Sequence, residues 1–286
     1  MVNVKWISVI GAVLLLLACS RGRHDVNADI DREEISVSLE GADRFWEGRL
    51  DSSMAMHALW SYEDLAKTDT TSIELWAKLS RAYYFRAQFL ETDPIKKDSL
   101  FMLGYRTSQA TLKRNPDYVS LRFSTGDEKV SIQGLGPEYV DILYWGAANY
   151  GRWLETKGPL VRLGQRDLVN TILDHIHDLD SSYYYGAYFR FKGALLARDP
   201  DSERDTLAIR QAFETALDMA PEYLGNYTFM AMYYCPLIRN KDLFYRLLTR
   251  VITTPSDKLL SCYPENELEK AQAERLMIQA EKENWF

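Results

Sequence analysis

Apolar residues recur along most of the chain at spacings of three and four positions, which places them on one face of an α-helix. Short polar turns separate one apolar stripe from the next. Almost no segment alternates apolar and polar residues in the way that a half-buried strand does. The pattern predicts an all-α protein made of stacked antiparallel helix pairs. The clearest stripes begin at Ile73, Val140, Val169, Ile209 and Phe244.

Degenerate repeats indicate how these helices are arranged. Segment 213–221 has an aromatic residue, a small residue three positions later and a proline five positions after that, which is typical of the end of a tetratricopeptide repeat. Segment 247–255 keeps this spacing 34 residues downstream, with Arg250 at the small position. We predict a superhelical array of about five degenerate tetratricopeptide-like helix pairs, followed by a C-terminal helix over about 265–282.

The segment 115–137 departs from the helical pattern. Val119, Leu121 and Phe123 alternate with polar residues there. A small hairpin across Gly126 is one interpretation, and an irregular excursion is the one that we favour. Connections of this length within a compact array are uncommon and are often functional.

The first 18 residues have the pattern of a secretory signal peptide. Lys5 supplies a positive charge, and the apolar run over residues 6–18 is too short to span a bilayer as a permanent helix. Residues 16–19 resemble a bacterial lipobox, which implies that the thiol of Cys19 is acylated and that Cys19 becomes the first residue of the mature chain. An ordinary secretory signal with a chance cysteine is the alternative.

The residues after the acylation site indicate how the protein is held. Ser20 resembles the outer-membrane signal of Gram-negative lipoproteins. Residues 19–37 are charged and without helical period, so we expect a flexible tether there and a folded repeat domain over residues 38–286. The expected location is the periplasmic side of the outer membrane, where the acyl chains provide the membrane contact.

Charge and motifs exclude several classes of function. The chain has 41 acidic against 34 basic residues, which suits it poorly to nucleic acid. It has no Gly-rich phosphate loop, no His-Glu-x-x-His pair and no Gly-x-Ser-x-Gly elbow, so we expect neither an enzyme nor a cofactor. His175 and His177 are two positions apart on a predicted helix and point away from each other, so we predict no metal site.

Two cysteines besides Cys19 lie in the C-terminal half. Cys235 closes one predicted helix, and Cys262 follows the return helix of the same pair. Because the periplasm is oxidising, a disulfide between these two cysteines and a pair of free thiols are both compatible with the sequence. The distance and orientation of the two side chains decide between them.

Six segments together resemble the T-component of TRAP transporters, the tripartite ATP-independent periplasmic uptake systems. The likeness runs over about residues 40–283, and its most specific element is the aromatic-rich segment 143–153, which generic tetratricopeptide repeats lack. Departures occur within 186–190 and in the loop after Arg198. The segments are 58–66, 79–85, 143–153, 183–194, 242–248 and 264–266.

The resemblance implies a lipoprotein with a helical repeat fold that forms a ring-like, trimer-like homo-oligomer around a pore. It implies docking to the transporter's periplasmic solute-binding protein and passage of a hydrophobic or carboxylate solute. The alternative is a generic tetratricopeptide-like scaffold for an envelope or outer-membrane assembly complex.

One set of candidate residues lies in the aromatic segment. Trp145, Asn149 and Trp153 share a helical face, with Tyr144 beside them. Aromatic stripes at this spacing are usually packed in a core, which is the favoured interpretation. The other is a groove, pore or partner-facing surface, in which Asn149 supplies a hydrogen-bonding group among apolar walls.

A second set surrounds Arg190, which is close in sequence to Tyr184, Tyr185 and Tyr188. A guanidinium offers two parallel donors to a carboxylate, so these residues are ligand- or partner-facing candidates. An inter-repeat or surface salt bridge is the favoured alternative, because most arginines serve in that way.

Overall fold

The computed structural model describes residues 38–199 and 205–286, which belong to one compact unit. The described residues form thirteen α-helices and no β-strand, so the predicted all-α class is confirmed. The tetratricopeptide-like superhelix stays a prediction. The helices are α1 Leu39–Glu47, α2 Ser52–Thr68, α3 Ile73–Phe85, α4 Pro94–Leu112, α5 Pro116–Thr125, α6 Glu128–Gln133, α7 Val140–Glu155, α8 Pro159–Leu179, α9 Tyr183–Arg198, α10 Thr206–Met219, α11 Gly225–Tyr233, α12 Lys241–Thr253 and α13 Tyr263–Lys282.

The signal peptide, Cys19 and the tether lie outside the described residues. Within the described ranges, no helix combines the length and the apolar character that a membrane span requires. The C-terminal helix, predicted from about residue 265, begins at Tyr263.

Most helices begin at a side chain that caps their first turn. Asp51, Ser72 and Asp93 accept hydrogen bonds from backbone amides of α2, α3 and α4. Asp205 and Asn240 do the same for α10 and α12. Each such oxygen satisfies amides that have no partner within the helix, so these polar residues set the helix boundaries.

Most helices pack against the next one along the chain, but α4 packs against α3 and α7, and α6 packs against α5 and α8. Helix α7 also packs against α3. Small residues bring α4 and α7 close together, because a Cβ on Gly146 would lie 2.3 Å from Ser108 Oγ. The Ser108 hydroxyl donates to the Ile142 carbonyl at 2.9 Å. One apolar cluster fills the centre, and two smaller ones lie in α1–α4 and α11–α13.

The hairpin or irregular excursion expected over 115–137 is wrong, because most of this segment is helical. Asn115 caps α5, and Pro116 occupies its first turn. Gly126 ends α5 with a left-handed φ of 68°, and Asp127 caps α6. The alternating apolar residues do not form one buried face of a strand, since Phe123 is 92% exposed.

Candidate functional site

Three consecutive residues near the start of α9 adopt left-handed backbone conformations. We call Tyr184–Gly186 the tyrosine turn; its φ angles are 43°, 60° and 75°. A left-handed conformation costs an L-residue about 1–2 kcal/mol, and two tyrosines pay this cost here. Such strain persists only where the surrounding structure fixes it, and it is concentrated at functional sites.

Two buried side chains hold the tyrosine turn in place. Arg190 Nη1 and Asn226 Nδ2 both donate to the Tyr185 carbonyl at 3.2 Å. Arg190 also donates to Asn226 Oδ1 at 2.7 Å and, through Nη2, to the Tyr144 hydroxyl at 3.0 Å. The Arg190 guanidinium therefore joins α7, α9 and α11 around the turn.

A buried carboxylate joins the first and last parts of the described chain. Glu265 on α13 is 4% exposed and accepts two hydrogen bonds from Arg49, with Nη2–Oε2 at 2.6 Å and Nε–Oε1 at 3.1 Å. Arg81 on α3 donates to the same Oε1 at 2.9 Å. Burial alone would raise the pKa of Glu265, but the Arg81 and Arg49 guanidiniums hold it below its usual range.

Aromatic rings surround the second of these arginines. The Arg81 guanidinium carbon lies 5.1 Å from the Trp46 ring, 5.1 Å from the Trp145 ring and 5.5 Å from the Tyr184 ring. Cation–π contacts of this kind stabilise a charge more strongly where water is excluded. They connect the buried charges to the tyrosine turn.

The same groups line a narrow interior space that we call the aromatic cavity. Its volume is about 20 Å³, which is room for about one water molecule. Arg81, Arg190, Glu265 and Glu269 supply its charged atoms. Its aromatic walls are Tyr84, Phe85, Phe89, Tyr144, Trp145, Tyr184, Phe191, Tyr223 and Phe229.

The outer side of the tyrosine turn lines an open surface hollow, the tyrosine depression. Its lining comprises Asp180, the segment 182–186, Met219 and Ala220. Tyr184 lines both the depression and the aromatic cavity, so it separates surface from interior. Met219, at the end of α10, is 41% exposed beside it.

A family model matches most of the chain. The model of the TRAP transporter T-component matches residues 58–286. The chain belongs to this family. No match to a curated protein was found. The family identifies this T-component as an accessory of a TRAP transporter, and the resemblance drawn from the sequence is confirmed.

The structure brings together four of the eight residues that the sequence singled out. Tyr144, Trp145, Tyr184 and Arg190 all line the aromatic cavity of this T-component. Tyr144 lies with its ring 4.8 Å from Trp145 and 5.1 Å from Tyr184. Tyr185 lines the tyrosine depression instead, and its hydroxyl is 2.8 Å from Ser261 Oγ.

The other three candidates lie outside both spaces. Asn149 is fully buried and donates to the carbonyls of Ser80 and Trp145 at 3.0 and 2.8 Å. Trp153 stacks on Tyr150, at a centroid distance of 5.7 Å. The Tyr188 hydroxyl donates to Asp174 at 3.0 Å.

The hydrogen-bond partners of Arg190 differ from both interpretations drawn from the sequence. Its recorded partners within the described part of the chain are the Tyr185 carbonyl, Asn226 and the Tyr144 hydroxyl, none of them a carboxylate. The ring of Tyr223 lies 4.8 Å from its guanidinium carbon. The guanidinium therefore supports the tyrosine turn and presents its charge to the aromatic cavity.

Cys235 and Cys262 are buried free thiols, so no disulfide joins them in this structure. Cys235 packs in the C-terminal apolar cluster, whereas Cys262 adjoins the charged groups around Glu265. Burial raises the pKa of the Cys235 thiol to about 12 and also raises the pKa of Cys262. Both thiols therefore stay protonated at neutral pH, which makes them poor nucleophiles.

Sequence reasoning missed the charged half of the site. Arg49, Arg81, Glu265 and Glu269 were not singled out, because charged residues on helices usually face solvent. Two signals were available: Arg81 is close to an aromatic run with the spacing of an ordinary core helix, and Arg81 and Glu265 lie in the family-like segments 79–85 and 264–266.

The buried carboxyl group of Glu269 is expected to make the stability of the protein dependent on pH. Its side chain is buried, its Oε2 has no hydrogen-bond partner among the described residues, and burial raises its pKa. When folding raises the pKa of a carboxyl group, its protonated form contributes stability that is fully present below the pKa of the unfolded state and is lost as pH rises through the pKa of the folded state.

We expect Glu269→Gln to gain stability relative to the wild type between pH 5 and pH 8, measured by urea unfolding. Glu274→Gln, on an exposed face of the same helix, is the control; equal pH dependence of Glu269→Gln and wild type would contradict the assignment.

Proposed function

We propose that this protein is an envelope lipoprotein that binds the solute-binding protein of a TRAP transporter through its tyrosine depression. Family membership supports the accessory role. The main observation that supports the docking surface is that Tyr184 lines both the exposed depression and the buried aromatic cavity. A partner seated on the depression would adjoin a chamber that contains two guanidiniums.

The chemistry of the aromatic cavity supports a hydrophobic or carboxylate solute. Aromatic walls favour apolar groups, and the Arg190 guanidinium, whose hydrogen-bond partners among the described residues include no carboxylate, favours a negative charge. The present walls exclude molecules larger than water, so entry of a solute requires the tyrosine turn to move. The strain at Tyr184 and Tyr185 lowers the cost of that movement.

The sequence of the N-terminal segment supports the proposed location. We infer that the acyl chains on Cys19 anchor the protein to the periplasmic side of the outer membrane. Two or three chains provide durable binding, because each buried methylene contributes about 0.8 kcal/mol. A trimer-like homo-oligomer remains part of the proposal, and it rests on the family resemblance alone.

A charge at the edge of the tyrosine depression tests the docking surface. We expect Met219→Glu to weaken binding of the TRAP solute-binding protein at least tenfold, because the partner would have to desolvate a carboxylate. Biolayer interferometry with the full-length protein in detergent measures the dissociation constant. Leu207→Glu is the matched control, since Leu207 is an exposed apolar residue (52%) at the other end of the same helix.

The control should bind within about twofold of wild type, because its substitution lies away from the depression. Equal weakening by both substitutions would indicate a non-specific charge effect. Unchanged binding by Met219→Glu would place the partner elsewhere. Either of these results, equal weakening or unchanged binding, would contradict the proposed surface.

A further inference from the structure

A further cleft lies between α7, α8, α9 and α11, and we call it the arginine cleft. Its volume is about 100 Å³, which is room for several waters, against about 20 Å³ for the aromatic cavity, and it opens to solvent. Its walls are mostly apolar, as ligand sites usually are. They are formed by Leu154, Leu163, Val169, Ala194, Leu195 and Phe229.

Guanidinium groups outnumber carboxylates in the described lining. Among the described residues, the lining contains Arg152, Arg162, Arg166 and Arg198 and two acidic residues, Glu155 and Asp199. Both carboxylates are engaged, as Glu155 Oε2 lies 3.2 Å from Arg152 Nη1 and 3.7 Å from Arg198 Nη1. Asp199 accepts from Arg166 at 3.0 Å. The described lining therefore has an excess of positive charge.

Two of these arginines have unused donors. Arg152 is 9% exposed, and its buried Nε has no hydrogen-bond partner among the described residues. The buried Nε of Arg162 likewise has no partner there, and no ion pair to Arg162 is recorded in the same residues. A buried donor without an acceptor is costly, so an acceptor that enters the cleft gains the energy of satisfying it.

We propose that the arginine cleft binds a single-chain alkyl monocarboxylate, with its carboxylate at Arg152 and Arg162 and its chain along the apolar walls. The fork of a guanidinium matches a carboxylate. A neutral alcohol would leave the positive charges uncompensated, and a second carboxylate would be buried against leucine and phenylalanine side chains. The chain end would meet the Phe191–Phe229 ring pair, whose centroids are 5.7 Å apart.

Calorimetric titration with decanoate tests this assignment. The full-length protein is held in lipid nanodiscs, and titration of empty nanodiscs is subtracted. We expect saturable binding of one decanoate per chain, and at least tenfold weaker binding of decanol. From hexanoate to decanoate, the dissociation constant should fall about fourfold for each added methylene. Absence of saturable binding, or equal affinity for decanol, would overturn the proposal.

Glycine substitutions separate ligand binding from folding. Gly151 lines the cleft, and a Cβ built there meets no other heavy atom of the structure within 4 Å. Gly151→Leu should therefore fold and fill the cleft, which reduces decanoate affinity at least tenfold. Gly164→Leu is matched, because Gly164 has the same open surroundings on α8 but does not line the cleft. Wild-type affinity in Gly151→Leu would contradict the site.

The charge contribution is tested separately. Arg162→Gln should weaken decanoate binding about tenfold while decanol binding stays the same, because only the anion loses a partner. Arg106→Gln, at an exposed position of α4, should leave both affinities unchanged. Equal effects of Arg162→Gln on the two ligands would overturn the role of the guanidinium. Each readout is independent of partner binding, so failure of the proposed docking surface would leave this assignment intact.

Discussion

Glu265→Gln is expected to lower the free energy of unfolding by about 3–5 kcal/mol, the cost of removing one partner from a buried ion pair. The carboxylate is 4% exposed and is the shared acceptor of Arg49 and Arg81. A neutral amide would leave two guanidiniums without a compensating charge in the interior. Because Arg49 precedes α2 and Glu265 lies on α13, the loss would disconnect the two ends of the folded chain. Urea unfolding followed by circular dichroism measures the effect.

The control for this substitution lies two residues further along the same helix. Glu267 forms an i,i+3 pair with Lys270 at 3.0 Å, and its side chain is 33% exposed. Exposed pairs of this kind contribute at most about 1 kcal/mol, so Glu267→Gln should have a small effect. Similar losses in the two variants would contradict a special role for Glu265.

The same substitution has a predicted pH dependence. Because the pKa of Glu265 is lowered in the folded protein, its contribution is present above the unfolded pKa of about 4.3 and is lost as pH falls through the folded value. The stability difference between wild type and Glu265→Gln should therefore shrink in acid. A difference that stays constant from pH 7 to pH 3 would contradict this interpretation.

Asn226→Ala is expected to cost about 3 kcal/mol, because it removes several buried hydrogen bonds together. Its amide donates to the Ala216 carbonyl at 2.8 Å and to the Tyr185 carbonyl at 3.2 Å, while its oxygen accepts from Arg190 at 2.7 Å. The hydrogen bonds to Ala216 and from Arg190 are buried, so these two groups would lose a partner away from water. The strained tyrosine turn would lose one of its two supports, so backbone amides around Gly186 should exchange hydrogen faster than in the wild type.

Asn170→Ala is the control for this second variant. Asn170 is half-buried on α8 and accepts from Lys192 at 3.2 Å. Its replacement should change the unfolding free energy by no more than about 0.5 kcal/mol. If Asn226→Ala unfolds like the control and leaves exchange near Gly186 unchanged, the turn does not depend on this asparagine.

Local patterns predicted the helices because the information they need is local. The stripe from Val140 to Leu154 coincides with α7, and its members are mostly buried. The error over 115–137 has a local cause as well. The cap residues Asn115 and Gly126 mark helix ends, and they were outweighed by an alternation of apolar residues that is exposed in the structure.

The buried charges could not have been predicted in the same way. Arg49 and Glu265 are 216 residues apart, and neither position differs in the sequence from an ordinary solvent-facing charge. The aromatic residues were ambiguous for a related reason. Tyr144 and Trp145 are buried like core residues and also line the aromatic cavity, so periodicity alone cannot separate core packing from cavity lining.

Capture of the native complex tests the central claim most directly. The full-length protein, tagged at its C-terminus and expressed from its own locus, is crosslinked in intact cells, purified and analysed by quantitative mass spectrometry. Our account predicts that a TRAP-type solute-binding protein is recovered in about equal amount and that Met219→Glu reduces its recovery, whereas Leu207→Glu does not. Recovery of outer-membrane assembly or secretion components without a solute-binding protein would contradict the account and indicate an envelope scaffold.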